Sequence, residues 1–154
     1  SILDIDGRIL CEMDVGSQPN TMEGASSPRF HGQRLYILLS LAGALRAVDI
    51  IDSDPCGGDI QDEVSPLGQV PNDLLIYGER LWVVHSGDNQ VTGYRQGNGA
   101  VDQNLTLPVG SNPWHAAMDD NDQKMAVTEW NGHAVTIFDL REGTEQRLRR
   151  TRRP

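Results

Sequence analysis

A short motif that occurs three times constrains the fold of this chain more than any other feature. The motif is an aliphatic residue, glycine, two variable residues and proline, and it reads VGSQP, LGQVP and VGSNP at residues 15–19, 67–71 and 109–113. The sequence that follows each motif also recurs. Internal repeats with a period of roughly 20–50 residues are typical of solenoids, propellers and other arrays, so the repeat sets the class of fold before any local propensity is considered.

Each repeat has the pattern of four short strands separated by turns. Gly78, residues 86–89 and residues 96–99 supply Gly and Asn, which accept the positive φ angles of tight hairpins. The strands between them are rich in β-branched and aromatic residues, and no segment shows helical periodicity over three turns. The predicted strands are 72–77, 81–86, 90–95 and 101–107 in the second repeat, and 114–118, 124–129 and 134–139 in the third. A four-stranded unit of this length is typical of a propeller blade, so the sequence predicts an all-β chain of about three four-stranded antiparallel blades.

The repeated text resembles a known family. The motif, the segment LWVVHSGDNQVTGY at 81–94 and the segment MAVTEWNGHAVTIFDL at 125–140 resemble the YVTN-type β-propeller repeat, which is related to the NHL and lactonase-like propellers. The resemblance covers roughly residues 4–147. It implies a fold and leaves the function open, because propellers of this kind serve enzymes, surface proteins and binding proteins.

The register of that family gives the expected domain organisation. Residues 1–146 are blades, with an outer strand at 4–15 and blades at 19–67, 71–109 and 113–149, and residues 147–154 are a basic tail. Propellers close with four to eight blades, so three need a partner. We expect further blades from the same or another chain, the chain here being a fragment, or a second copy that closes a six-blade ring.

The same register predicts a candidate binding site. The innermost strand of each blade should begin just after the motif proline, near the mouth of the central channel, and polar side chains from several blades would converge there. The residues at these positions are Asn20, Asn72, Asp73, Trp114 and His115. His115 has the chemistry of a metal ligand or a general base. The alternative is a polar ring that serves only the structure, and no residue is assigned as catalytic.

Three other groups of residues have side chains that are able to form a disulfide or bind a metal ion. Cys11 and Cys56 can form one disulfide or remain two buried thiols. Residues 119–122 read DDND, and their oxygens suit calcium or another divalent ion, although a hairpin turn is the favoured interpretation and no cofactor is predicted. His85 and His133 match no zinc spacing and are expected to be hydrogen-bonded turn residues.

Charge and hydropathy limit the classes of partner. The net charge is −9, and residues 1–146 carry 8 basic against 22 acidic residues, so the chain is not expected to bind nucleic acid. It has no apolar run near the roughly 18 residues of a membrane span. We therefore expect a non-catalytic binding or assembly module outside the cytoplasm. The alternative is a lactonase-like hydrolase with a metal or a histidine in the channel.

Overall fold

The computed structural model is all-β and has the predicted blades. The residues that it describes are 2–3, 9–16, 22–96, 105–119, 121, 123–141 and 146–150. They form fourteen strands and no helix. The strands are β1 (Ile2–Leu3), β2 (Ile9–Cys11), β3 (Ala25–His31), β4 (Arg34–Leu39), β5 (Ala44–Asp49), β6 (Ile60–Val64), β7 (Pro71–Tyr77), β8 (Arg80–His85), β9 (Gln90–Arg95), β10 (Thr106–Pro108), β11 (Pro113–Asp119), β12 (Lys124–Glu129), β13 (Ala134–Asp139) and β14 (Gln146–Arg150).

Twelve of these strands form three sheets of the same topology. Blade 1 is β3–β6, blade 2 is β7–β10 and blade 3 is β11–β14, and in each blade neighbouring strands pair antiparallel in chain order. The short strands β1 and β2 pair with each other in a separate two-stranded sheet. The innermost strand β7 packs against both β3 and β11, so blade 2 lies between the other two. This arrangement confirms the predicted fold class.

Two expectations on strand positions need adjustment. Blade 1 begins at Ala25 rather than directly after Pro19, because Ala25 pairs with Leu39 as Pro71 pairs with His85 in blade 2. At the other end, residues 147–150 of the basic segment are the last four residues of β14. Of the expected outer strand at 4–15, residues 9–11 are β2 and residues 4–8 lie outside the described residues. The same holds for residues 97–104 and 151–154.

Alternating side chains of the second strand of each blade pack on opposite neighbours. In blade 2, Leu81 and Val83 face blade 1, whereas Trp82 and Val84 face blade 3. All four are buried, so apolar residues follow one another along β8 instead of alternating with polar ones. Burying a side chain of this size contributes about 1.5–3 kcal/mol, so these two interfaces form the core of the molecule.

The cores between the blades are built from a few side chains on each side. Between blades 1 and 2 the principal residues are Tyr36, Leu38, Leu45, Leu74, Leu81 and Val83. Between blades 2 and 3 they are Trp82, Val84, Val91, Met125, Val127 and Phe138.

Close packing against the end of the second strand explains why the motif contains glycine. A Cβ added at Gly68 would lie 2.9 Å from His85 Nδ1, and one added at Gly110 would collide with the carboxylate of Glu129. His85 and Glu129 end the second strands of their blades and are both buried. The glycine therefore lets the chain pass directly over the end of the second strand before it enters the next blade.

A disulfide joins the N-terminal segment to blade 1. Cys11 and Cys56 are bonded, and Cys56 lies in the long connection between β5 and β6. After Cys11, Met13 and Val15 pack against the face of blade 1 that points away from blade 2. The guanidinium of Arg46 donates a hydrogen bond to the carbonyl of Val15. The bond predicted as one of two alternatives is thus present, and it fixes an apolar segment over an apolar face.

Candidate functional site

The candidate site lies where the first strands of the three blades come together. β3, β7 and β11 each have a register irregularity near their start. Counting along each first strand between the pairs that flank the irregularity places Ser27, Asp73 and His115 at the same position of blades 1, 2 and 3. These residues, together with Arg29, Asn72 and Trp114, are called the inner-strand cluster below.

The carboxylate of Asp73 is the centre of this cluster. Its side chain is only 3% exposed. Oδ1 accepts hydrogen bonds from Ser27 Oγ at 3.0 Å, from Arg29 Nη2 at 3.1 Å and from the amide N–H of Leu74 at 2.9 Å. Because charge-assisted hydrogen bonds are the strong ones, this oxygen ties blade 1 to blade 2.

The second carboxylate oxygen of Asp73 reaches blade 3. Oδ2 accepts a hydrogen bond from the amide of Ala116 at 3.0 Å and lies 3.3 Å from His115 Nδ1, which donates to it when Nδ1 carries a proton. Asn72 adds a longer contact of 3.5 Å from Nδ2 to the carbonyl of Pro113. A single buried carboxylate therefore links all three blades at their inner ends.

Other side chains of the cluster are open to solvent. The side chain of His115 is 64% exposed and that of Arg29 is 39% exposed. The backbone of His115 is held by Thr128, whose Oγ accepts from the His115 N–H at 3.1 Å and donates to the His115 carbonyl at 3.2 Å. The imidazole is thus presented on a fixed strand beside a buried anion.

Two tryptophans form an aromatic surface next to His115. The rings of Trp114 and Trp130 lie 5.5 Å apart at an angle of 46°, and the Trp114 ring meets the His115 ring edge-on at 6.2 Å. Trp130 is exposed and Trp114 partly so, although both rings are large and apolar. Exposed aromatic groups of this kind are common at binding surfaces.

Four of the five predicted site residues lie in the inner-strand cluster. The structure brings together Asn72, Asp73, Trp114 and His115, while Asn20 lies outside the described residues. Residues that the sequence did not indicate are Ser27, Arg29 and Trp130. In blade 1 the position of Asn72 is occupied by Ser26.

A signal for the correct register exists in the sequence. Residues 31–34 and 77–80 read HGQR and YGER, and Gly32 and Gly78 both have φ near +60° in the hairpin between the first and second strands. Counting back from these turns instead of forward from Pro19 aligns Ser26 with Asn72.

Of the other candidate residues, His85 has an environment different from the one expected, whereas His133 and residues 119 and 121 lie where a turn was expected. His85 is the last residue of β8 and fully buried, so it is not a turn residue, although its Nε2 lies 3.4 Å from Tyr94 Oη. Burial lowers the pKa of His85, against the opposing effect of Asp88. His133 lies in the turn between β12 and β13 with a positive φ. Between β11 and β12, the amide of Asn121 donates to Asp119 Oδ1 at 3.1 Å.

Two kinds of feature are absent from the described residues. Within this part of the chain, no group of three or more His, Cys, Asp or Glu side chains is placed to hold a metal ion. No helix there has the length and apolar character that crossing a membrane requires.

Comparison with known proteins gives matches among solved structures only. No protein-family model and no curated protein matches the chain. A proposed 6-phosphogluconolactonase from Bacteroides uniformis matches with a TM-score of 0.67 at 10% identity, over 81% of this chain and 39% of that protein. One from Bacteroides fragilis gives 0.66 at 16% identity, over 83% and 38%. The streptogramin B lyase structure gives 0.62 at 14% identity, over 86% and 41%.

These matches agree with the fold that the strands show. The neighbours are propeller-like, and at such low identity the likeness concerns the fold alone. The chain spans about two fifths of the length of each of them. The described residues are therefore three four-stranded sheets of the β-propeller type.

Proposed function

We propose that these blades, which we assign to the YVTN type, are a non-catalytic binding module whose ligand or partner contacts the inner-strand cluster. The observation that carries the proposal is the state of Asp73. Its carboxylate is buried and receives hydrogen bonds from all three blades, so it acts as a structural tie and is not presented to a substrate. The exposed members of the cluster are Arg29, His115 and Trp114, and arginine and tryptophan are types enriched where proteins bind partners.

The proposal can be tested by mapping ligands onto the cluster. The full chain, labelled with ¹⁵N, would be screened by NMR against a small-molecule library that contains neutral sugars, nucleotides, carboxylic acids and amines. We expect at least one class to shift the Trp114 indole and His115 ring signals while the buried Trp82 indole stays unchanged. A library that leaves the cluster signals unmoved would contradict a small-molecule role for it.

A matched variant separates binding from a change of fold. Arg29→Gln removes the ion pair with Asp73 and one exposed donor, whereas Arg95→Gln removes an arginine at the end of β9, away from the cluster. A ligand of the cluster should bind more weakly to the first variant and equally well to the second. Equal binding by both would place the ligand elsewhere.

A lactonase-like hydrolase is the second candidate. The contact of 3.3 Å between His115 Nδ1 and Asp73 Oδ2 favours it, because a carboxylate that orients an imidazole is the usual support of a general base. The likeness to proposed 6-phosphogluconolactonases also bears on it. The test is hydrolysis of aldonolactones with metal analysis of the assembly. A rate that His115→Ala abolishes would establish the enzyme, and an undetectable rate would exclude this reaction.

We further propose that other blades complete the ring. The face of blade 3 that points away from blade 2 contains Val135, which is 40% exposed, and the adjoining residues Ala126 and Thr128. In blades 1 and 2 the matching side chains, Tyr36 with Leu38 and Trp82 with Val84, are buried against the next blade. The further blades come from the same or another chain, or from a second copy. Light scattering would distinguish these, and a stable monomer of 17.0 kDa would contradict both.

We also propose an extracytoplasmic compartment, which the disulfide supports. Disulfides persist in oxidising environments and are rare in the reducing cytosol. The Cys11–Cys56 bond therefore supports an extracytoplasmic location, periplasmic, secreted or on the cell surface. Thiol labelling of the protein taken from its native compartment tests this, because labelling of both cysteines without prior reduction would contradict it.

A further inference from the structure

Blade 3 differs from the other two blades at one pair of positions. In blade 1 the pair is Ser26 and Ser40, whose hydroxyl oxygens lie 2.7 Å apart in a hydrogen bond. The register places Trp114 and Trp130 at the same two positions of blade 3. The backbone matches as well, since the amide of Ser40 donates to Gly24 at 3.0 Å and the amide of Trp130 donates to Asn112 at 2.9 Å. The two tryptophans are thus an addition to an otherwise repeated frame.

The two rings are not needed to fill the core. Trp82, which does fill the core, is 1% exposed, whereas Trp114 and Trp130 are 39% and 66% exposed. Small side chains occupy the matching positions elsewhere without disturbing the frame. Because large exposed apolar groups side by side are unfavourable in water, the pair indicates a surface that a ligand covers.

A following blade does not fully cover the position that Trp130 occupies. Ser40 in blade 1 and Ser86 in blade 2 hold the position of Trp130, and both remain partly exposed although a further blade follows each of them. The aromatic surface would therefore remain accessible in a completed ring.

The surroundings of the pair define the chemistry of its ligand. His115 meets the Trp114 ring edge-on, and Asn72 of blade 2 reaches the backbone of Pro113 beside it, so groups that donate and accept hydrogen bonds border the apolar rings. A ligand that matches has a flat apolar face and a rim of hydroxyl groups. The net charge of −9 disfavours anionic ligands such as nucleic acids and acidic polysaccharides.

We infer that the Trp114–Trp130 surface binds a neutral carbohydrate, whose C–H face stacks on the rings while its hydroxyls contact His115 and Asn72. This inference rests on the proposed binding function and names its ligand class. A protein partner that buries the same two rings is the competing explanation and forms one outcome of the test.

The test uses the full chain and a panel of neutral hexasaccharides, namely cello-, xylo-, manno-, malto- and chitohexaose, titrated by calorimetry. We expect saturable binding of at least one member. Trp114→Ser and Trp130→Ser should each weaken it about tenfold, which corresponds to about 1.4 kcal/mol, and the double variant should abolish it. Serine is the appropriate replacement because blade 1 carries it at both positions.

The remaining tryptophan provides the control for folding. The chain has three tryptophans, and the buried Trp82 is the one that the double variant keeps. Its fluorescence emission therefore reports an intact blade interface. No binding of any hexasaccharide, or unchanged affinity in the double variant, would overturn the inference. If no hexasaccharide binds but another library compound shifts the cluster signals, the binding function stands and the carbohydrate assignment fails. Tryptophan-dependent capture of an apolar peptide would favour the protein partner and also overturn it.

Discussion

Asp73 and His115 occupy the same position in consecutive blades, and the carboxylate of the first lies 3.3 Å from the imidazole of the second. Equivalent positions in successive blades thus bring different side chains into contact. Both residues lie two positions after the proline that begins the innermost strand, so the repeat places two chemically different side chains at contact distance. Blade 1 places Ser27 at that position, and it donates to the other oxygen of the same carboxylate.

The first prediction concerns this carboxylate. Asp73→Asn keeps the shape of the side chain but removes the charge that faces Arg29, and it places an amide N–H₂ among groups that all donate. We expect a loss of about 1–3 kcal/mol in the free energy of unfolding, because the donors that face the buried Asp73 lose a charged acceptor. Urea denaturation monitored by fluorescence measures it.

The control for that variant is another ion pair of the same kind. Asp62 pairs with Arg46 at 2.8 Å, but the side chain of Asp62 is 59% exposed. Asp62→Asn should therefore cost less than about 1 kcal/mol. Equal losses in the two variants would show that Asp73 is not the tie between the blades.

The second prediction concerns the disulfide. The Cys11–Cys56 bond spans 45 residues, and the entropy of closing a loop of that size gives a stabilisation of about 4 kcal/mol. Cys11→Ser with Cys56→Ser should lower the free energy of unfolding by about that amount and should make the protein insensitive to dithiothreitol. Denaturation with and without the reductant measures both effects. Unchanged stability of the wild type on reduction would contradict the prediction.

Sequence alone predicted the fold because the signals that define a blade are local. Each repeat contains its own hairpin turns, apolar second strand and motif proline. The predicted strands 124–129 and 134–139 therefore have the same bounds as the strands in the structure. The site was harder to predict. Arg29 and Trp130 join it through pairing between strands, and that register is visible only when the blades are aligned on their second strands.

The start of blade 1 shows why the side chains that meet in the site were harder to predict than the fold. The motif proline marks the start of the innermost strand in blades 2 and 3, where Pro71 and Pro113 are the first residues of β7 and β11. In blade 1 the strand begins at Ala25, six positions after Pro19. An insertion between a motif and its strand leaves the motif intact and changes which side chains meet.

The third prediction concerns the motif glycines. Gly68→Ala and Gly110→Ala each add a methyl group where His85 or Glu129 already lies, and neither neighbour can easily move because both are buried. We expect each variant to lose about 1–3 kcal/mol, the usual cost of overpacking. Gly32 has nothing within 4 Å of an added Cβ but has a φ of 60°, so Gly32→Ala measures backbone strain without collision. Thermal unfolding measures the three variants, and unchanged stability in Gly68→Ala and Gly110→Ala would contradict the packing explanation.

The fourth prediction is a pH dependence that originates at His85. Burial lowers the pKa of this histidine in the folded protein, so the folded state holds it neutral while the unfolded state protonates it near its ordinary value of 6.5. Between that value and the lower pKa of the folded state, the unfolded chain binds more protons. The stability contributed by the neutral His85 should therefore be complete above about pH 6.5 and should fall as the pH decreases below 6.5.

Leu39 supplies the matched replacement, because it occupies the position of His85 in blade 1 and is buried there. His85→Leu should remove the loss of stability that sets in just below pH 6.5, while the steeper loss at lower pH, which comes from carboxylates, should remain. Urea midpoints measured at intervals of half a pH unit would show the difference. If the wild type and His85→Leu lose stability in parallel over that range, the prediction for His85 is wrong.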